Sequence, residues 1–174
     1  MLTGSNATLK RMRACWPSCS AQALVCRPRS PTTLGAVVVD IRRASAQRRG
    51  SPLGNPFVLR DPRDSRGRDI VCDAYDALLG MALMGGGGKG PASTAEVAAF
   101  GRVFGHEGPL GPWDAVGACA EIDRLVSLSR TREVRLRCSC GDERCHGESI
   151  ARHVRQEREW RHGTFCEYRL PSLI

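Results

Sequence analysis

Cys138, Cys140, Cys145 and His146 fall within nine residues of the segment VRLRCSCGDERCHGESIA, Val134 to Ala151. Thiolate and imidazole are the usual ligands of zinc, so a Cys₃His metal site is one chemistry open to this set, with zinc as its cofactor. The spacing is awkward for it. Tetrahedral sulfurs on zinc lie about 3.8 Å apart, given Zn–S bonds of about 2.3 Å. Residues two apart on a regular strand are separated by about 6.5 to 7 Å along the chain. Neighbouring Cys145 and His146 must also turn to one centre. Ligation by all four therefore requires the strand to end near Cys138.

A second chemistry follows from position. Cys145 and His146 immediately precede an expected helix, whose unpaired N–H groups and dipole favour anions. A thiolate there is stabilised, and His146 or Arg144 can stabilise it further. Cys145 and His146 are then a candidate catalytic pair of nucleophile and proton carrier. The same N–H groups, around Gly147, could instead hold a phosphate or carboxylate. A third reading has Cys138 and Cys140 packed as small apolar residues, with His146 as a polar helix cap. The strand spacing of Cys138 and Cys140 narrowly favours the thiol or anion pocket over zinc.

Anion recognition has a second source in the chain. From Arg42 to Arg68 there are eight arginines against two acids, Asp61 and Asp64. The later arginines have these acids and Asp69 to neutralise them, whereas Arg42, Arg43, Arg48 and Arg49 lack such neighbours and sit closest to the expected crevice. Guanidinium matches phosphate bidentately, so Arg42, Arg43 and Arg49 are candidate ligand-binding residues, with Ser51 and Asn55 of the following segment. Asn55 precedes Pro56 and is held extended, which can aim its amide at a ligand or close the turn.

These residues need elements to position them. The β-branched run of LGAVVVDIRR reads as a first strand buried on both faces. Gly and Pro in GSPLGNPFVL predict a structured loop with a short strand at Phe57 to Leu59. In DIVCDAYDALLGMAL, Ile70, Val71, Ala74, Leu78, Met81 and Ala82 recur at helical spacing, leaving Asp69, Asp73 and Asp76 on a solvated face at a favourable helix start. MGGGGKGPAS, with a Gly-rich stretch near 85 to 91, is a linker. It fails the Walker pattern at Leu83 and Gly90. Ser93 and Glu96 form a capping-box signature, and Pro112 precedes a further helix on which Val116, Cys119, Ile122 and Val126 align. EVRLRCSC alternates as a half-covered strand with a turn at GDER, and HGESIARHVRQEREW reads as the last helix, with Ile150, Ala151 and Val154 inward. The tail GTFCEYRLPSLI adds an edge strand. Strands separated by helices give an α/β fold: a small, mainly parallel sheet flanked by helices in a Rossmann-like three-layer arrangement. In such sheets ligands gather beyond the carboxyl ends of the strands, so the arginine loop and the Cys/His turn can share a crevice.

The 174-residue length suits a single domain over 35 to 174. The net charge of +8 is concentrated at the start, since residues 1 to 39 hold five basic and no acidic residues and the remainder 21 against 18. That balance, with few aromatic residues, disfavours nucleic acid as the partner and leaves an anionic small molecule. Residues 1 to 34 are a disordered leader or a transit peptide, rich in Arg, Ser and Thr. No apolar run suggests a membrane span or secretory signal. Nine cysteines, an odd number, are no disulfide framework and imply a reducing compartment. The expected location is intracellular: mitochondrion or plastid if the leader is a transit peptide, otherwise cytoplasm.

Two stretches, SPLGNPFV at Ser51 to Val58 and LRCSCGDERCHGESIA at Leu136 to Ala151, resemble in order the family called domain of unknown function 4326. The matching residues are Ser51, Gly54, Asn55, Pro56, Phe57, Cys138, Cys140, Cys145, His146 and Gly147. The chain departs from the family pattern in a longer helical insert from Gly85 to about Pro112, and in Ser139, where an aromatic is usual. The resemblance implies a small α/β domain and no particular reaction. The sequence leads to an intracellular enzyme acting on a nucleotide-like or phosphorylated small molecule. A non-catalytic module, zinc-stabilised or not, that binds nucleic acid or a protein partner is the alternative.

Overall fold

Val37, Val38 and Val39 place a β-branched run in strand β1 (Val37–Asp40), which pairs in parallel with β2 (Val134–Arg137) in the register Val37↔Val134 to Asp40↔Arg137. The computed structural model describes residues 35–44, 50–85, 93–140 and 144–161. The leader, Arg48 and Arg49, nearly all of the Gly-rich linker, most of the GDER turn and the C-terminal edge strand lie outside the described residues. Between the strands run α1 (Ser65–Met84), α2 (Thr94–Val103) and α3 (Ala115–Leu128), and α4 (His146–Arg161) follows β2.

The fold is mixed α/β. Val39, Val134 and Leu136 lie on the buried face of the sheet and join one core with α1, α3 and α4, which pack against one another. Val38 on the opposite face is 39% exposed, so β1 is covered on one face and not on both. With two strands and one covered face among the described residues, the Rossmann-like three-layer arrangement is not established. The short strand expected at Phe57 to Leu59 is reduced to one antiparallel bridge, Phe57↔Leu110.

Helix α1 begins earlier than its apolar periodicity predicts, because Asp64 caps it by accepting from Gly67 N at 2.8 Å. Asp69 and Asp73 are therefore past the first turn, and they serve α4 rather than the helix dipole. Both pair with Arg144 just before α4, Asp69 at 3.0 Å, while Asp76 pairs with Arg152 and, at 3.2 Å, with His153. The acidic face of α1 is thus a seam for the basic face of α4. The Ser93/Glu96 capping box is present on α2. On α3, Asp114 rather than Pro112 supplies the start, and Val116 is 62% exposed because Ala118, Ile122 and Leu125 set the inward face.

The GNPF segment is fixed by Asn55, which is buried. Its Oδ1 accepts from Phe57 N at 2.9 Å and its Nδ2 donates to Val71 O at 3.1 Å, so one amide closes the loop and ties it to α1. Asn55→Ala strands the buried Phe57 N–H, and should lower unfolding free energy by about 2 kcal/mol in urea titrations. Asn55→Asp keeps the acceptor but sets a buried carboxylate against Val71 O, so it too should destabilise.

Candidate metal centre

Strand β2 stops at Arg137, whose carbonyl accepts the final bond of the pairing from Ile41 N at 2.9 Å. The alternation predicts a strand as far as Cys140. Instead the chain turns, and Cys140 N donates back to Cys138 Sγ at 3.3 Å. The early stop turns both sulfurs toward the start of α4. There Cys145 Sγ accepts from Gly147 N at 3.2 Å and Cys145 O from Glu148 N at 3.0 Å. Cys138, Cys140 and Cys145 bring their sulfurs within 4.8 Å of one another, a group able to hold a metal ion. The Cys138 and Cys145 sulfurs are 2.8 Å apart, well beyond the disulfide length of about 2.05 Å.

His146 lies beside this group of three sulfurs, next to Cys140 and Cys145. Its Nε2 lies 3.2 Å from Ile41 O, and because a carbonyl only accepts, Nε2 carries the proton. The lone pair of Nδ1 is then free toward the sulfurs, 3.7 Å from Cys140 Sγ and 3.9 Å from Cys145 Sγ. Tyr75 of α1 packs edge-on against the imidazole at 5.3 Å and anchors its own hydroxyl on Leu53 O at 2.9 Å. Burial lowers the His146 pKa from its ordinary 6.5 despite the bond to Ile41, which keeps the ring neutral and able to donate a lone pair. Cys138, Cys145 and His146 are 5%, 4% and 7% exposed; Cys140 is half-buried.

Three thiols in this space resist ionising together without a cation. The Cys140 thiol is pushed well up by its sulfur hydrogen bonds to Cys138 and Cys145, then by burial. Cys72, on α1, donates to Arg144 O at 3.9 Å, and burial raises it to about 11.

The arginines divide. Arg42 binds the carboxylate of Asp40 through Nε at 2.8 and 2.9 Å, so it does have an acidic neighbour, placed just upstream of the arginine-rich window. Arg43 turns inward and donates from Nη1 to Phe57 O at 3.3 Å. It lies within electrostatic reach of Cys140 and His146. Arg43 and Ser51 line one cavity, of about 380 Å³; Ser51 Oγ also accepts from Leu53 N at 3.1 Å. Asn55 and Arg42 do not line it, and Arg49 lies outside the described residues. Arg144 faces Asp69 and Asp73. The residues that sequence spacing does not single out are Tyr75, the Ile41 carbonyl and Trp113, of which Tyr75 alone has a signal, its place on the apolar stripe of α1 between Val71 and Leu79.

The chemistry of Cys72 is directly testable. At pH 8 a thiol titrating at about 11 holds about 100-fold less thiolate than one at the ordinary 9.0, so Cys72 in the folded chain should alkylate with iodoacetamide about 100-fold more slowly than an unperturbed thiol, followed by peptide mass.

No helix among the described residues is long and apolar enough to cross a membrane. No curated protein and no solved structure matches the chain significantly. A family profile does match, over residues 10–156, and that span takes in both strands, the GNPF loop and all four residues of the Cys/His cluster. The chain belongs to the family described as Domain of unknown function (DUF4326).

Proposed function

We propose that this chain is a zinc-binding domain in which Cys138, Cys140, Cys145 and His146 hold one ion that joins the end of β2, the start of α4 and the end of β1. The observation that carries the reading is the orientation of His146. Metal-bound histidine characteristically donates its second ring N–H to a carbonyl or carboxylate, and His146 donates Nε2–H to Ile41 O while Nδ1 faces the sulfurs. The donor set of three sulfurs and one nitrogen suits tetrahedral zinc.

Four protein ligands close the coordination sphere, so the ion is structural in this reading. Burial of Cys145 fits a ligand better than a nucleophile, which must be reached by its substrate. The N–H of Gly147 on its sulfur then stabilises a bound thiolate rather than a reactive one. Zinc with three thiolates and a neutral imidazole carries one net negative charge, which the nearby Arg43 guanidinium offsets.

Protein purified without added metal should contain about one zinc per chain, and cobalt exchanged into it should give the thiolate charge-transfer and tetrahedral ligand-field bands. Cys138→Ser, Cys140→Ser, Cys145→Ser and His146→Ala should each reduce zinc content or weaken zinc affinity by at least about tenfold. Full-affinity zinc in Cys145→Ser, or metal-free protein with an unchanged melting temperature on zinc addition, would contradict the reading. Acidification should release the ion, because ligand thiolates and the imidazole take up protons in competition with zinc.

A further inference from the structure

A cavity of about 380 Å³ lies between the β1–α1 loop and the segment leading into α3. Its volume is within the range of small-ligand sites, about 300 to 1,000 Å³. The walls include Arg43, Ser51, Gly54, Pro112, Trp113 and Asp114.

Among the described residues that line it Arg43 is the cation, and its side chain is packed at the stem and bonded at the head. A Cβ at Gly54 would stand 3.0 Å from Arg43 Cα and 3.3 Å from its Cγ, and one at Gly111 would stand 3.6 Å from its Cδ. The two glycines therefore let the stem lie flat against the backbone. The head is held by its bond to Phe57 O. Burial lowers the Arg43 pKa, yet a guanidinium remains charged at neutral pH, so this is a partly desolvated cation in a fixed pose. Such a group favours an anion and does not need to be ordered on binding.

The opposite wall has a different character. Trp113 stands edge-on to Tyr75 at 6.2 Å, which secures the indole as a platform. Its Nε1 is buried with no hydrogen-bond partner among the described residues. Asp114 accepts from Gly117 N at 2.8 Å and brings a carboxylate to the same wall. A bare phosphate would be repelled by Asp114. A ligand with an anionic end for Arg43, a planar ring for Trp113 and N–H or O–H donors for Asp114 satisfies all three.

We propose that this cavity binds a small organic anion bearing a planar, hydrogen-bonding ring, of the nucleoside monophosphate class, with Arg43 as its anion-binding residue and Trp113 as its ring contact. A long nucleic acid is disfavoured by the near balance of 21 basic and 18 acidic residues after position 39. The proposal does not rest on the zinc reading, although the bond from His146 to Ile41 O holds the chain two residues before Arg43.

The test uses the full chain with Trp16→Phe and Trp160→Phe, which leaves Trp113 as the single tryptophan. Adenosine monophosphate should change Trp113 fluorescence saturably and bind at least about tenfold more tightly than inorganic phosphate. Arg43→Gln should weaken adenosine monophosphate by about tenfold or more, with circular dichroism unchanged. If Arg43→Gln fails to fold, Arg43→Lys, which keeps the charge and loses the fork, should still weaken binding several-fold. Absence of a saturable change, equal affinity for phosphate and adenosine monophosphate, or undiminished binding in the folded Arg43 variant would overturn the proposal. A loss of zinc with nucleotide binding retained would count against the metal centre alone.

Discussion

The imidazole of His146 joins parts of the chain that are far apart in sequence. One nitrogen binds the carbonyl of Ile41, 105 residues earlier, the other faces the sulfurs of Cys140 and Cys145, and the ring packs at right angles to Tyr75 of α1. Two paired strands with one open face, which are what the described residues form, have little pairing of their own to hold their carboxyl ends. The end of β1 is held here by His146 and by the buried Ile41 side chain. The position of Arg43, and so the shape of the neighbouring cavity, depends on the same attachment.

A second constraint sets the direction of α4. Asp69, Asp73 and Asp76 on α1 meet Arg144, Arg152 and His153, so the two helices are joined by charge as well as by Val71, Leu78, Ile150 and Val154 in the core. Pairs this exposed contribute little individually, about 0 to 1 kcal/mol each, and their role is orientation more than stability. Through Arg144 they also fix the residue preceding Cys145. Helix α1 therefore supports the Cys/His cluster from two sides, with Tyr75 on its apolar face and the aspartates on its polar face.

Much of this is legible in the sequence where the controlling interaction is local. The Ser93/Glu96 capping box depends on residues three apart, and the helix at His146 follows from Ile150, Ala151 and Val154. The start of α1 is not legible from periodicity, since SRGR carries no apolar residue and the signal is the Asp64 cap. The Asp40 partner of Arg42 is adjacent, but it belongs to the strand and not to the loop. Sheet width and the coverage of its faces depend on long-range packing that alternation alone does not encode, which is why Val38 reads as buried and is open. The cysteine geometry turns on a single residue: the pattern VRLRCSC alternates without interruption, whereas the pairing ends at Arg137. The spacing objection to a metal site disappears at that point.

The family match includes the GNPF loop and the Cys/His cluster, and the structure connects them through Asn55, Phe57, Arg43 and Ile41. In the zinc reading proposed above, a structural ion beside Arg43 would give these two motifs one physical purpose, the shaping of a single cleft. X-ray absorption at the zinc edge of protein purified without added metal tests that account most directly. It predicts a first shell of three sulfurs at about 2.3 Å and one nitrogen at about 2.0 to 2.1 Å. A shell of nitrogen and oxygen without sulfur, or protein free of zinc, would contradict it.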